Sequence, residues 1–220
     1  CSASASHELR TPLAVVRSGL ESVEKCSNEE ERNHFLHLMS EETVHMKRLI
    51  DDMLLLANSD ADTLTIKPEA CQPDLLLLDT YEKFEPLAKK NGLHLILTLP
   101  EEILPDCFCD IHRTEQIFSI IVDNALCYTP SGGKVTLSCH AENEMLCFLF
   151  KDTGCGISEE KKSHIFERFY RADDAHTDRE HFGLGLCIAK ELTEKQNGNI
   201  QVVDAPISGS CFMVQLPCAL

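Results

Sequence analysis

The first part of the chain carries apolar side chains at the spacing of bundle helices. Within residues 3–25 they recur at alternating steps of four and three, at Leu9, Leu13, Val16, Leu20 and Val23. A longer stripe with the same alternation runs from Leu36 to Ala57. Such a stripe buries one face of a helix against a neighbour. Because polar residues 26–28 and acidic residues 29–31 separate the stripes, the pattern predicts an antiparallel helical hairpin.

Two helices leave part of this apolar surface uncovered. Leu49 and residues 54–56 add apolar area beside the second stripe. Pairing of two hairpins into a four-helix bundle would bury it, so we expect a homodimer. The alternative is a hairpin that packs on the C-terminal part of its own chain. The polar segment Asn58–Thr63 is typical of a hinge and divides the chain into domains at residues 1–60 and 61–220.

The second domain alternates short apolar runs with amphipathic segments. We predict strands at 64–66, 93–99, 134–140, 145–151, 200–204 and 211–216, and helices at 74–91, 111–128 and 184–196. Asp74 is the predicted N-cap of the first of these helices, and Pro86 is expected to kink or break it. Since hairpins and crossovers are mixed, the predicted fold is an α+β two-layer sandwich and not a doubly wound sheet.

Composition excludes several classes of function. With 20 Lys+Arg against 36 Asp+Glu, the net charge is −16, which argues against binding nucleic acid or an anionic lipid surface. No apolar run reaches the roughly 18–20 residues that span a bilayer. The 12 cysteines are scattered, which favours reduced thiols in a cytosolic compartment, many of them small core residues.

One candidate for chemistry lies on the first helix. His7 is off the apolar stripe, and Glu8 follows it directly, where a carboxylate can orient the imidazole. An exposed neutral imidazole with such a partner is a competent nucleophile toward a phosphoryl group. On its own, the pair is more typical of an ordinary solvated helix surface.

Three further segments could contact a phosphorylated ligand. Asp152–Gly156 places a carboxylate at a strand end before two glycines, which allow close backbone approach. Gly183–Leu186 opens a helix, where backbone amides bind anions. Asn124 lies near a helix end before Tyr128, and its amide oxygen could bind Mg2+. Taken singly, an ordinary turn is a fair alternative for the first segment, and a helix cap and a structural asparagine are the favoured explanations of the other two.

Taken in order, the motifs resemble one family. The segments SHELRTPL (6–13), DNALCYTP (123–130), DTGCGIS (152–158), IFERFYR (165–171) and GLGLCIAK (183–190) together are similar to the sensor histidine kinases of two-component systems. The resemblance extends from Ser6 to Pro217. It implies that the hairpin is a dimerisation and phosphoacceptor domain. It also implies that the remainder has the Bergerat, or GHKL, ATPase fold.

The resemblance assigns roles to particular residues. His7 would be the phosphoacceptor, Glu8 its acid/base partner, and Thr11 the residue that positions water for phosphatase activity. ATP and Mg2+ would be the cofactors, with Asn124 binding the metal and Asp152 reading the adenine amine. The other implied nucleotide contacts are Tyr128, Gly154, Gly156, Arg168, Gly183, Leu184, Gly185 and Leu186. Phe166 and Phe169 would pack the base of a mobile lid at about 171–182, and Arg171 could add positive charge.

Three positions depart from the family pattern. Ile120, Cys127 and His181 stand where many members carry a polar, basic or glycine residue, so ATP affinity is expected to be modest. The expected partners are a second copy of the chain and a response-regulator receiver domain, and no nucleic acid. A membrane would enter only through segments absent from this chain, which we expect to be the cytoplasmic portion of an inner-membrane or cell-membrane sensor. Phosphatase-dominant and non-catalytic nucleotide-binding scaffold functions remain the alternatives.

One further cluster has metal-ligand spacing. The segment Cys107–His112 has the pattern CxCxxH. Alternation along a strand would put Cys107 and Cys109 on one face, so a place in the core is favoured over a metal site.

Overall fold

The computed structural model describes residues 2–170, 183–204 and 209–219, with the side chains of residues 2–7 and 204 excepted. The predicted lid at 171–182, including Arg171 and His181, lies outside the described residues. The contacts within the chain define two units, Cys1–Leu64 with Arg168–Gly185, and Thr65–Glu167 with Leu186–Leu220. Among the described helices, none is both long and apolar enough to cross a bilayer.

The predicted helical hairpin is confirmed. Helix α1 spans Ser2–Val23 and helix α2 spans Glu29–Asp60. The Asn28 side chain caps α2 by accepting a hydrogen bond from the Glu30 N–H at 2.9 Å. Three glutamates in the first turn of α2 add favourable charge at its positive end.

Much of the predicted apolar stripe is exposed in the single hairpin. Leu13 and Leu20 of α1 are 57% and 54% exposed, and Leu36 and Ile50 of α2 are also exposed. Gly19 allows close approach of the helices, because a Cβ there would overlap the Met39 side chain. Met39, Leu49, Leu55 and Leu56 are buried, while other large apolar side chains of the stripe face solvent.

The second unit is an α+β sandwich, as predicted. Its strands are β1 (Glu69–Cys71), β2 (His94–Thr98), β3 (Cys107–Cys109), β4 (Lys134–Glu142), β5 (Met145–Asp152), β6 (Asn199–Asp204) and β7 (Ser210–Pro217). Its helices are α3 (Pro73–Lys90), α4 (Ile111–Tyr128), α5 (Glu159–Lys162) and α6 (Gly185–Glu194). Five strands form a mixed sheet in the order β2-β4-β5-β7-β6, in which only β2 and β4 are parallel. Strands β1 and β3 form a separate antiparallel pair.

The core lies between the sheet and the helices on it. Phe118 of α4 packs against Phe148 and Phe150 of β5, with ring centroids 4.8 and 4.9 Å apart. All three rings are fully buried. Asp110 caps α4 by accepting the Arg113 N–H at 3.1 Å, and its other oxygen accepts the Lys67 N–H. The aromatic contact and the cap fix the helix that carries Asn124.

Two local predictions were wrong, and the break allowed for at Pro86 does not occur. Residues 64–66 form no strand, and the first strand of the structure is β1. The sequence pattern did not indicate β1, because this strand is defined by its pairing with β3, far along the chain. Gln72 stands at the N-cap of α3 in place of Asp74, since Pro73 occupies the first helical position, where its missing N–H costs nothing. Pro86 does not break α3, whose buried Phe84 and Ala88 on either side hold it to the core.

Candidate nucleotide site and phosphoacceptor helix

A buried carboxylate ends the central strand β5. Asp152 is 3% exposed, and its Oδ1 atom accepts hydrogen bonds from the backbone N–H of Gly154 at 2.8 Å and of Ser210 at 3.1 Å. Burial raises the pKa of Asp152, and the two amides act in the opposite direction. The side chain is therefore held in one orientation before any ligand arrives, as recognition of an amine requires.

Glycines let three chain segments meet at Asp152. A Cβ on Gly154 would overlap the Tyr128 carbonyl, and one on Gly209 would overlap the Asp152 backbone. Gly156 has φ +75° and lies against Gly209. The loop after β5 can thus follow the end of α4 and the start of β7 closely, which brings Asp152, Gly154, Gly156 and Tyr128 together.

We expect Gly209→Ala to disturb this arrangement more than a matched glycine change does. Gly209 and Gly132 have similar positive φ values, +87° and +84°, but a Cβ on Gly132 meets nothing within 4 Å. Gly132→Ala should cost about 1 kcal/mol in free energy of unfolding, from backbone strain alone. Gly209→Ala should cost about 1–3 kcal/mol more, because Asp152 must move, and should weaken nucleotide binding. Urea denaturation of both variants measures this, and equal losses would contradict the role given to Gly209.

Asn124 presents an oriented amide on α4. Its Nδ2 group donates a hydrogen bond to the Ile120 carbonyl at 2.8 Å, which leaves the amide oxygen as the group for a ligand. The side chain is half-buried. Ile120 therefore takes part through its backbone, although its side chain departs from the family pattern. A half-buried, oriented carbonyl oxygen fits a hard cation such as Mg2+.

The second glycine motif, Gly183–Leu186, begins in the first of the two units, which includes residues up to Gly185. Gly183 has φ +69°, and its carbonyl accepts the Phe169 N–H at 2.9 Å. Leu184 is buried, and α6 begins at Gly185. Leu186 follows as the second residue of α6, within the second unit. The backbone amides at a helix start suit an anion.

Arg168 also belongs to the first unit. Its guanidinium donates two hydrogen bonds to the Asp60 carboxylate, at 2.6 and 2.7 Å. This contact lowers the pKa of Asp60, chiefly through those hydrogen bonds. The structure therefore pairs Arg168 with a carboxylate, and its predicted contact with a nucleotide stays a prediction.

The phosphoacceptor motif lies on α1. The side chain of His7 lies outside the described part of the structure. Glu8 is half-buried and Thr11 is exposed. Positions 7 and 11 are four residues apart, so the helix sets them on one face. That register lets one bound partner domain reach both positions.

Two residues of the site were missed by the sequence analysis. The Ser210 N–H binds Asp152, and Gly209 has no room for a side chain there. The Gly-Ser pair at the start of the last strand was the available signal. Its meaning depended on β7 lying beside β5 in the sheet, which spacing along the chain does not reveal.

Two family profiles match the chain. Residues 109–220 match the profile described as histidine kinase-, DNA gyrase B- and HSP90-like ATPase, which defines the second unit as an ATPase of that class. Residues 1–62 match the His Kinase A phospho-acceptor domain. The chain therefore belongs to the sensor histidine kinases and contains the catalytic core of that family.

Known proteins agree with this assignment. The chain is 33% identical to the sensor protein SrrB of Staphylococcus aureus over 98% of its own length, and it spans 37% of SrrB. The solved structure of ShkA in complex with AMPPNP shares 28% identity at a TM-score of 0.77, over 99% of this chain and 45% of ShkA. Histidine kinase ThkA, solved with the response regulator TrrA, has the same fold at 19% identity and a TM-score of 0.78, over 99% of this chain and 61% of that one.

Proposed function

We propose that this chain is an ATP-dependent histidine autokinase that phosphorylates His7 and passes the phosphoryl group to an aspartate of a response-regulator receiver domain. Residues 1–60 form its dimerisation and phosphoacceptor domain, and residues 61–220 its ATP-binding domain. The observation that carries the proposal is the Asp152 carboxylate, buried and fixed by two backbone amides. It supports recognition of an adenine amine in a chain that also has the family's histidine motif.

The described residues divide the work of phosphoryl transfer. Asp152 accepts a hydrogen bond from the adenine amine, and the glycines beside it admit the ring. Asn124 would hold Mg2+, which neutralises charge on the phosphates when bound. The start of α6, at Gly185 and Leu186, offers backbone amides to the phosphates. The reaction then depends on positioning and charge neutralisation rather than on covalent chemistry by the ATP-binding domain.

The helix face of positions 7 and 11 would serve both phosphoryl transfer and hydrolysis of the phosphorylated receiver. Glu8 orients the imidazole and takes part in proton transfer, so that a ring nitrogen can attack the γ-phosphoryl group in line. Thr11, exposed one turn further along α1, positions water against the phosphorylated receiver. The ThkA–TrrA complex supports docking of a receiver domain on this class of kinase.

The exposed apolar stripe supports a homodimer. In a two-fold dimer each substitution occurs twice in the interface, once on each subunit. Leu20→Asp would therefore place two charges in the apolar contact and should raise the dimer dissociation constant by at least about 100-fold. Ser18→Asp adds the same charge to an exposed polar position off the stripe and should leave association unchanged. Sedimentation equilibrium measures both. A wild type that stays monomeric at all concentrations, or two variants that behave alike, would contradict the proposed interface.

The experiment that tests the proposed function follows phosphate from ATP onto the chain. With Mg[γ-32P]ATP the chain should become labelled, lose label to a purified receiver domain, and remain unlabelled when Mg2+ is chelated. ATP binding without label would sink the autokinase proposal. Dephosphorylation of a phosphorylated receiver would then favour the phosphatase-dominant alternative, and its absence the nucleotide-binding scaffold.

The proposed function also implies a cellular localisation for the chain. We place it on the cytoplasmic side of a membrane, as part of a sensor whose other segments reach that membrane. The support is the relative SrrB, a sensor protein of which this chain matches 37%. Limited proteolysis of right-side-out and inverted membrane vesicles that carry the whole protein tests it. Cleavage within this region only in inverted vesicles is the expected result, and cleavage in right-side-out vesicles would contradict it.

A further inference from the structure

Three cysteines converge on the inner face of the small β1–β3 sheet. The sulfur atoms of Cys71, Cys107 and Cys109 all lie within 4.8 Å of one another. The Cys71 and Cys109 sulfurs are 3.4 Å apart, with one thiol donating a hydrogen bond to the other. The Cys71 thiol lies 3.5 Å from the Cys107 carbonyl, to which it can donate its proton. The three side chains form one contiguous thiol cluster.

The backbone holds the cluster together. Cys71 and Cys107 are directly opposite in the antiparallel ladder, so their side chains share a face. Alternation along β3 puts Cys109 on that same face. Three of the four positions that this face offers are therefore cysteines, and the fourth is Glu69, opposite Cys109. Such preorganisation on paired strands is what a multidentate ligand set needs.

The orientation of β3 keeps its two thiols out of solvent. Cys107 and Cys109 are fully buried, whereas Phe108 between them is 43% exposed. Free cysteine is among the residue types most often buried, so the burial is ordinary, and it is the grouping of three sulfur atoms that suits a metal ion. Here the thiols are kept inside, and the large apolar side chain faces solvent.

We propose that Cys71, Cys107 and Cys109 bind a thiophilic divalent metal ion, of which Zn2+ is the representative. A tetrahedral Zn2+ site has Zn–S distances of about 2.3 Å, which places its sulfurs roughly 3.8 Å apart. The observed separations need shifts of no more than about 1 Å to reach that value. On binding, each thiol gives its proton to solvent as its sulfur bonds to the metal. Water enters beside the half-buried Cys71 as the fourth ligand.

The site is distinct from the nucleotide site. Cys109 is followed by Asp110, the N-cap of α4, and Asn124 lies 13 residues after the first residue of that helix, or about 20 Å along it. A metal at the cluster would anchor the start of α4. It should raise the thermal unfolding temperature and leave nucleotide affinity unchanged, so failure of this inference is separable from failure of the autokinase proposal.

Anaerobic titration of the reduced chain with Co2+, and with Zn2+ against a chromophoric chelator, tests the site. We expect one ion per chain and a near-ultraviolet sulfur-to-cobalt charge-transfer band whose intensity corresponds to three thiolate ligands. Cys71→Ser and Cys109→Ser should each weaken binding by at least about 100-fold, since even residues behind the ligands of such sites contribute 10- to 100-fold. Cys71 is half-buried at a strand end, so its variant should fold.

Two controls make the result specific. Cys139→Ser removes a buried thiol from β4, outside the cluster, and should leave the titration unchanged. His140→Ala tests the other group of metal-ligating side chains in the described residues, His140, Glu142 and Cys147. Absence of stoichiometric binding by the wild type would overturn the proposal. Binding that persists in both cluster variants, or that is lost in His140→Ala, would do the same.

Discussion

Asp152→Asn should lose nucleotide affinity and keep its fold. The carboxylate is nearly inaccessible to solvent, and burial raises its pKa. A carboxyl whose pKa is higher in the folded than in the unfolded chain costs stability once pH rises above its unfolded pKa, about 3.9. That cost grows as pH rises from the unfolded to the folded pKa and persists at higher pH. The asparagine removes it and keeps Oδ1 as acceptor for the amides of Gly154 and Ser210.

Asp152→Asn should weaken nucleotide binding, although it removes the cost in stability. A hydrogen bond to a charged partner contributes about 1.5–3 kcal/mol, so the Kd for ATP or ADP should rise roughly 10- to 150-fold. Calorimetric titration and thermal unfolding at pH 7 measure the two effects on one sample. Asp79→Asn makes the same change of charge at an exposed position of α3 and should leave nucleotide affinity unchanged. A variant that binds normally, or one that fails to fold, would contradict the account of Asp152.

Asn124→Ala should separate Mg2+-dependent chemistry from nucleotide binding. The side chain makes one hydrogen bond to its own helix, and alanine is the best helix former, so α4 should remain intact. Loss of the amide oxygen removes a metal contact, for which we expect about a 100-fold fall in the rate of autophosphorylation. Binding of ADP measured without Mg2+ should change little.

The matched control for this variant lies on the same helix. Gln116→Ala also removes a side-chain amide from a half-buried position of α4, eight residues earlier. Its autophosphorylation rate should equal that of the wild type. Equal rates for Asn124→Ala and Gln116→Ala would rule out Asn124 as the metal-binding residue.

Local patterns predicted most of the secondary structure. The bounds of α4 at Ile111–Tyr128 follow from its amphipathic pattern between Asp110 and Thr129. Strands β4 and β5 were predicted to within two residues, because left-handed residues Asn143 and Glu144 make the tight turn that joins them. In these elements each signal comes from neighbours along the chain.

What the sequence did not reveal depends on distant pairing. Strand β1 exists because β3 pairs with it, and Cys71 joins Cys107 and Cys109 only through that ladder. Ser210 reaches Asp152 only because β7 lies beside β5. The site residues that the sequence motifs predicted are those that act together with their neighbours along the chain, such as the glycines after Asp152.

The most direct test of the central claim is incubation of the chain with Mg[γ-32P]ATP, comparing the wild type with His7→Gln and His37→Gln. His37 is an exposed histidine of α2 close to a glutamate, so its variant controls for the substitution itself. The account predicts acid-labile, base-stable label on the wild type and on His37→Gln. It predicts no label on His7→Gln, which should still bind ATP. Label that persists on His7→Gln, or a wild type that binds ATP and takes no label, would contradict it.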